Sequence, residues 1–218
     1  MNITVSSSSL KEDVLQDKQP ALAPYQRQSA PLRTFFSENL IGIRPFYPDD
    51  VPPLFDATRE SIKELCGGMA WCHPNYSFQD CQAFISNSAA DWKRGKKYSF
   101  VIFDIRKGTF LGSIGLSSVD RDRKCANLGY WVRTSMTRRG IASIAAKLIA
   151  KFGFEELGLN RLELLILDKN KNSQRVADQV GATFENRLKK RLMINGTSHD
   201  ALLYSLVPND VGGLYYSI

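Results

Sequence analysis

The 218-residue sequence has only two histidines, His73 and His199, and its four cysteines, Cys66, Cys72, Cys81 and Cys125, show no CxxC spacing. A structural zinc site gathers four such ligands from short, regular spacings, so no metal is expected, and the cysteines read as reduced, buried thiols of a cytoplasmic protein. No apolar run approaches the roughly 20 residues needed to cross a bilayer. The opening MNITVSSSSLKEDVLQDK mixes charge with serine where a secretion signal would be apolar, so neither export nor a membrane location is expected. There is no internal repeat.

What remains is ordinary globular material: 43% hydrophobic, 11% aromatic and 23% charged residues, enough chain for one good core. The net charge of +7, from 29 basic and 22 acidic residues, raises the question of nucleic acid. The basic residues fall in short clusters at 93–97, 121–124, 138–139 and 187–191. No interleaved aromatics mark a base-stacking platform, so no nucleic-acid partner is expected. Surface solvation or capture of an anionic cofactor accounts for the surplus equally well.

Residues 1–38 are rich in Ser, Gln, Pro and Lys without an apolar period and read as a flexible or irregular arm; 39–208 form the folded domain and 209–218 a tail. LIGIRPF alternates as an edge strand. Asp49 or Asp50 is placed to cap a helix carrying Leu54, Ala57, Ile62 and Leu65, and Ser77 with Asp80 forms a capping box for a second helix. Three strands follow, SFVIFDI, TFLGSIGLSSV and NLGYWV. From Gly140 the period becomes helical, with Ile141, Ile144, Ala145, Leu148, Ile149 and Phe152 on one face. RLELLIL reads as a strand covered on both faces, Ser173 to Val180 as a short helix, and the remainder as a hairpin turning at Asn195-Gly196.

The stretch LGYWVRTSMTRRGIAS runs from a strand through a polar loop into a helix that starts at a glycine. Free amides at such a helix start, with the helix dipole behind them, form an anion cradle. Gly140 lets the main chain approach a phosphate, Ala142 is nearly as small, and Arg138 and Arg139 add charge. Neither a P-loop nor a GxGxxG spacing is present. On spacing alone, a plain strand-loop-helix corner explains the segment as well as a cradle does.

The segment resembles the acetyl-CoA loop [QR]xxGx[GA] of the GNAT superfamily, with Gly140 and Ala142 in place and Thr137 where Gln or Arg is usual. The similarity extends over about 40–207 and is closest to the RimJ/RimL branch, on the strength of Trp71, FLGSIGL, LGYWV, FGFEELGLNRLEL and the Asn170–Ala182 run that is similar to NxxSxxVxxxxGF. The resemblance implies an α/β (α+β) fold, a mixed, mostly antiparallel, splayed sheet of about seven strands flanked by helices. It also implies direct acetyl transfer from acetyl-CoA to a primary amine, first that of a protein or peptide N-terminus such as a ribosomal protein's, with a small amine (aminoglycoside, polyamine or amino acid) as the alternative acceptor, and leaves open a homodimer and a non-catalytic acetyl-CoA-binding module.

By that resemblance, Tyr130, Trp131 and Val132 lie on the splaying strand and bind the pantetheine arm, while Arg138, Arg139, Gly140, Ile141, Ala142 and Ser143 hold the pyrophosphate. Asn170 bonds the pantetheine, and Ser173 donates to the departing thiolate or merely caps its helix. Many relatives have Glu where this chain has Asn127, which cannot take up a proton. A water relay, or Asp120, Asp122, Glu64 or His73, is then left to serve as base, with Trp71, His73 and Asn127 shaping the acceptor pocket.

Overall fold

A computed structural model describes residues 31–211. Most of the expected arm and tail lies outside these residues. The arm's described end is ordered: Phe36–Glu38 forms strand β1 on the edge of the sheet, and the Arg33 amide donates to Glu156 Oε2 (3.0 Å).

The sheet has eight strands, one more than the sequence reading gave, because β1 is too short to show alternation. The others are β2 (Ile41–Pro45), β3 (Tyr98–Asp104), β4 (Phe110–Asp120), β5 (Cys125–Val132), β6 (Arg161–Leu167), β7 (Thr183–Ile194) and β8 (Thr197–Leu206). Their spatial order is β1-β2-β3-β4-β5-β6-β8-β7, and every pair is antiparallel except β5 with β6. That pair is joined through a crossover helix, α4 (Ile141–Lys151), as parallel neighbours require.

Helix α4 buries Ile141, Ala145, Ala146, Leu148, Ile149 and Ala150 against one face of the sheet. A π-helical turn, Phe152–Glu156, then swings the fully buried Phe152 among the rings of Phe36, Trp92, Tyr98 and Phe100, at centroid distances of 5.0 to 6.0 Å. The opposite face carries a smaller core in which Val101, Phe110 and Trp131 meet Leu54 and Ala57 of α1 (Val51–Glu60) and Cys81 and Ile85 of α3 (Phe78–Arg94). Ser77 and Asp80 cap α3 reciprocally, as their spacing predicts.

Asp50 does not cap α1 through its side chain. Its carboxylate instead receives both guanidinium nitrogens of Arg44 (2.7 and 2.8 Å) and the amide of Tyr47 (2.7 Å). The single helix expected from Asp50 onward is interrupted at Ser61, with α2 (Ile62–Cys66) beyond it.

That break has a use. Ser61 Oγ accepts from the Thr134 amide (2.9 Å), while Glu60 accepts from the Ser135 amide (2.7 Å) and from Arg133 Nε (2.9 Å). The loop after β5 is therefore pinned to the α1–α2 junction. Arg133 holds the Glu60 carboxyl at about 2, well below its usual range. A depressed carboxyl stabilises the fold above its unfolded value and loses that contribution as pH falls through the folded one. Glu60→Gln should lower Tm at pH 7, and the gap to wild type should close as the pH drops from about 4.5 toward 2, measured by thermal unfolding.

Candidate active site

Strands β5 and β6 are paired only at Cys125–Arg161, Ala126–Leu162 and Asn127–Glu163. Beyond Asn127, β5 stays with β4 as far as Val132, whereas β6 continues with β8 as far as Leu167. From Leu128 onward the β6-facing edge of β5 thus carries no strand partner, and a cavity of about 420 Å3 opens at the fork.

Its lining unites elements far apart in sequence: Tyr130, Trp131 and Asn127 from β5, Leu164–Leu167 from β6, Asn170 and Ser173 from the start of α5 (Lys171–Gln179), and Trp71 from the loop after α2. Trp71 and Trp131 stand 6.4 Å apart between ring centroids, and Trp71 packs edge-on against Tyr76 at 5.4 Å. The Asn195 side-chain amide at the β7–β8 turn donates to the Cys66 carbonyl (3.0 Å), tying the hairpin tip to the end of α2. Cys66 and Cys72, whose sulfurs lie 2.7 Å apart, bracket the loop that carries Gly68–Trp71, and burial pushes the Cys72 thiol up to about 12.

Two buried polar atoms in the lining have no protein partner, Asn127 Oδ1 and the Tyr130 hydroxyl. Burial raises the Tyr130 phenol above its ordinary value; the nearby Ser173 side chain opposes the rise, but no hydrogen bond of normal geometry joins the two hydroxyls. The phenol therefore stays neutral near pH 7 and has a proton to donate.

Ser173 is not the cap of α5. Asn170 fills that role, its Oδ1 accepting from the Ser173 amide (3.0 Å), so the Ser173 hydroxyl is spared and Asn170 retains its side-chain N–H2.

Beside the fork, the chain enters α4 through Arg138 (φ 62°) and Gly140 (φ 74°), both left-handed. Among the described residues no protein oxygen accepts from the amides of residues 138–143. A Cβ built on Gly140 would meet nothing beyond its chain neighbours within 4 Å, so the space beside Gly140 is open. The Ser143 hydroxyl is occupied by Gln179 Oε1 (2.6 Å), which leaves its amide as the group it presents.

Of the groups considered as bases, none lines the cavity. Glu64 accepts from Thr134 Oγ1 (3.3 Å), Asp120 accepts from the Arg123 amide (2.9 Å), and Asp122 is exposed on the β4–β5 turn. His73 is exposed, 3.6 Å from Asp80, and stands outside the lining, unlike Trp71 and Asn127. Sequence reasoning missed Lys97, Tyr76, Ser99, Ser113 and Ser117 as lining residues. The period-2 placement of Ser113, Gly115 and Ser117 in FLGSIGLSS was the available signal, since it sets small side chains on one face of a core strand.

The profile of the family described as Acetyltransferase (GNAT) domain matches residues 41–183. The "Putative ribosomal N-acetyltransferase YdaF" of Bacillus subtilis (strain 168) is 31% identical over 106 residues, 49% of this chain and 58% of that protein, so the chain spans less than two thirds of that relative's length. Among solved structures, that of "a putative ribosomal-protein-serine acetyltransferase from Vibrio cholerae" superposes with a TM-score of 0.71 at 26% identity, covering 80% of this chain and 97% of that one. The microcin C7 self-immunity acetyltransferase MccE, solved with acetyl-CoA and AMP, has the same fold, with a TM-score of 0.72 at 24% identity over 78% of this chain and 93% of its own.

A buried hydroxyl without a partner lowers stability by about 1–3 kcal/mol. Tyr130→Phe should consequently leave Tm unchanged or raise it, measured by calorimetry, in contrast to an ordinary core truncation.

Proposed function

The chain belongs to the GNAT acetyltransferase family, and from that premise we propose that it transfers acetyl from acetyl-CoA directly to a primary amine, that of a protein or peptide N-terminus. The observation that carries this reading is the parting of β5 from β6 beside the unbonded amides of residues 138–143. Those amides, with Arg138 and Arg139, suit a pyrophosphate, because helix-start N–H groups and their dipole favour anions. The unpaired edge of β5 from Leu128 to Val132 suits the pantetheine arm, and Asn170, which lines the same cavity, has a side-chain N–H2 not engaged in its cap.

Bound acetyl-CoA supplies the thioester. The amine nitrogen attacks its carbonyl carbon, the C–S bond breaks, and the sulfur leaves with the electron pair. Backbone N–H groups of β5 polarise the carbonyl, and the hydroxyls of Ser173 and Tyr130 donate to the departing sulfur.

The acceptor follows from what the lining lacks. Among the described residues it contains no carboxylate and no imidazole to take a proton from an ammonium near pH 7 or to attract a polycation. An α-amine, with an ordinary pKa near 8, is neutral in roughly a quarter of molecules at pH 7.5, whereas a lysine-like amine near 10.4 is neutral in roughly one in a thousand. The site therefore favours an N-terminus over a polyamine, an aminoglycoside or a lysine side chain. Asn127 Oδ1 accepts from the arriving amine, and its proton leaves through water. The same missing base is the feature that favours a non-catalytic acetyl-CoA-binding module, which would release no thiol with any amine.

Three outcomes check this reading. Gly140→Val should weaken acetyl-CoA binding at least tenfold by calorimetry, since its side chain would fill the space over the amides; unchanged affinity would refute the cradle. With a peptide acceptor, log kcat/KM should rise with pH at unit slope and level off at the peptide's own amine pKa, near 8. A break near 6 would instead reveal a base on the protein. Ser173→Ala should lower kcat more than it raises the KM for acetyl-CoA.

A further inference from the structure

Among the described residues, Lys97 is the one charged side chain in the cavity lining. It is half-buried, its ammonium stands 5.4 Å from the centroid of the Phe84 ring, and no carboxylate among the described residues lies at ion-pair distance from it. An ammonium with no carboxylate partner is free to form a charge-assisted hydrogen bond with an anion. Its placement is consistent with a counter-charge that arrives with a ligand.

The sheet register fixes where that counter-charge would sit. Tyr98 pairs with Leu116 and Ser117 with Asn127, so Lys97, Ser117 and Asn127 stand abreast across three neighbouring strands, on the face that bears the cavity. Two strand spacings separate Lys97 from Asn127, roughly 10 Å between backbones. Ser99, on the same side of β3 one pleat further on, and Ser117 add hydroxyls to the floor between them.

We propose that Lys97 is a specificity-determining residue that pairs with a carboxylate on the first or second residue of the acceptor peptide. The inference rests on the acetyl-transfer reading for the position of the amine, at Asn127 beside the fork. Each peptide residue spans at most about 3.6 Å. Once the lysine side chain has covered part of the interval, an acidic side chain at either of the first two positions closes the rest, and one further along the peptide overshoots. The ring of Phe84 holds the ammonium in place before the acceptor enters, and the apolar walls, Leu54, Trp71 and Tyr76, keep the pair from being screened.

The test is a titration of the full chain, saturated with coenzyme A, with peptide pairs that differ only as Asp against Asn at position 1, 2 or 5. The expected result is at least tenfold tighter binding of the Asp peptide at position 1 or 2 and no difference at position 5. Lys97→Met should abolish the preference, Lys97→Glu should reverse it and Lys97→Arg should keep it, all with acetyl-CoA affinity within about twofold of wild type. Equal binding of Asp and Asn peptides, or a preference that survives Lys97→Met, overturns the proposal. So does a Lys97-dependent preference that appears only with free amino acids, because the carboxylate would then not belong to a peptide. Thiol release with the same peptides is scored separately: a Lys97-dependent binding preference without release supports the role of Lys97 and counts against acetyl transfer.

Discussion

A strand needs two neighbours to satisfy both of its edges, and β5 has them for three residues only. Backbone groups left unpaired inside a protein must find other partners. The fork therefore creates a demand for hydrogen bonds at the depth of the core, and the cavity, the exposed β5 edge and the nearby helix start are arranged around it. Beyond the shared residues β5 stays with β4 on its outer edge and β6 with β8 on its own, so the two strands diverge. The anchoring of the post-β5 loop by Glu60 and Ser61 fixes the path by which the chain turns back into α4.

The electrostatic character of the cavity follows from its walls. Among the described residues its lining is mostly apolar, and the polar side chains present are neutral hydroxyls, the two amides of Asn127 and Asn170 and one cation. On the acetyl-transfer reading proposed above, a site of this kind favours an amine that is already partly neutral, and selectivity would rest on the shape and charge around that amine, where Trp71, Tyr76 and Lys97 stand.

Features set by local physics were legible in the sequence. The helical period after Gly140, the Ser77–Asp80 cap, the hairpin at Asn195-Gly196 and the glycine start of α4 each depend on residues within one or two turns of one another. Features set by register were not. Lys97 lines the same cavity as Asn127 only because two strand pairings align them, and no spacing along the chain reports that. Strand β1 shows no alternation because only three residues take part. The sequence leaves Ser173 either as donor to the thiolate or as the cap of α5; Asn170, three residues earlier, supplies the capping oxygen, and the backbone path at Asn170 (φ −85°, ψ 77°) decides between two residues that both suit the role. His73 looked useful because an imidazole titrates in the right range, but its loop directs it to the surface.

A molecule whose two sheet halves share so short a seam is completed by whatever fills the opening. A ligand bound only by the folded chain adds RT ln(1 + [L]/Kd) to its stability, about 2.7 kcal/mol at a hundredfold excess over Kd. On the acetyl-transfer reading proposed above, with the seam this brief, the thermal resistance and protease survival of this chain would rise with the concentration of the acyl donor that the fork would hold.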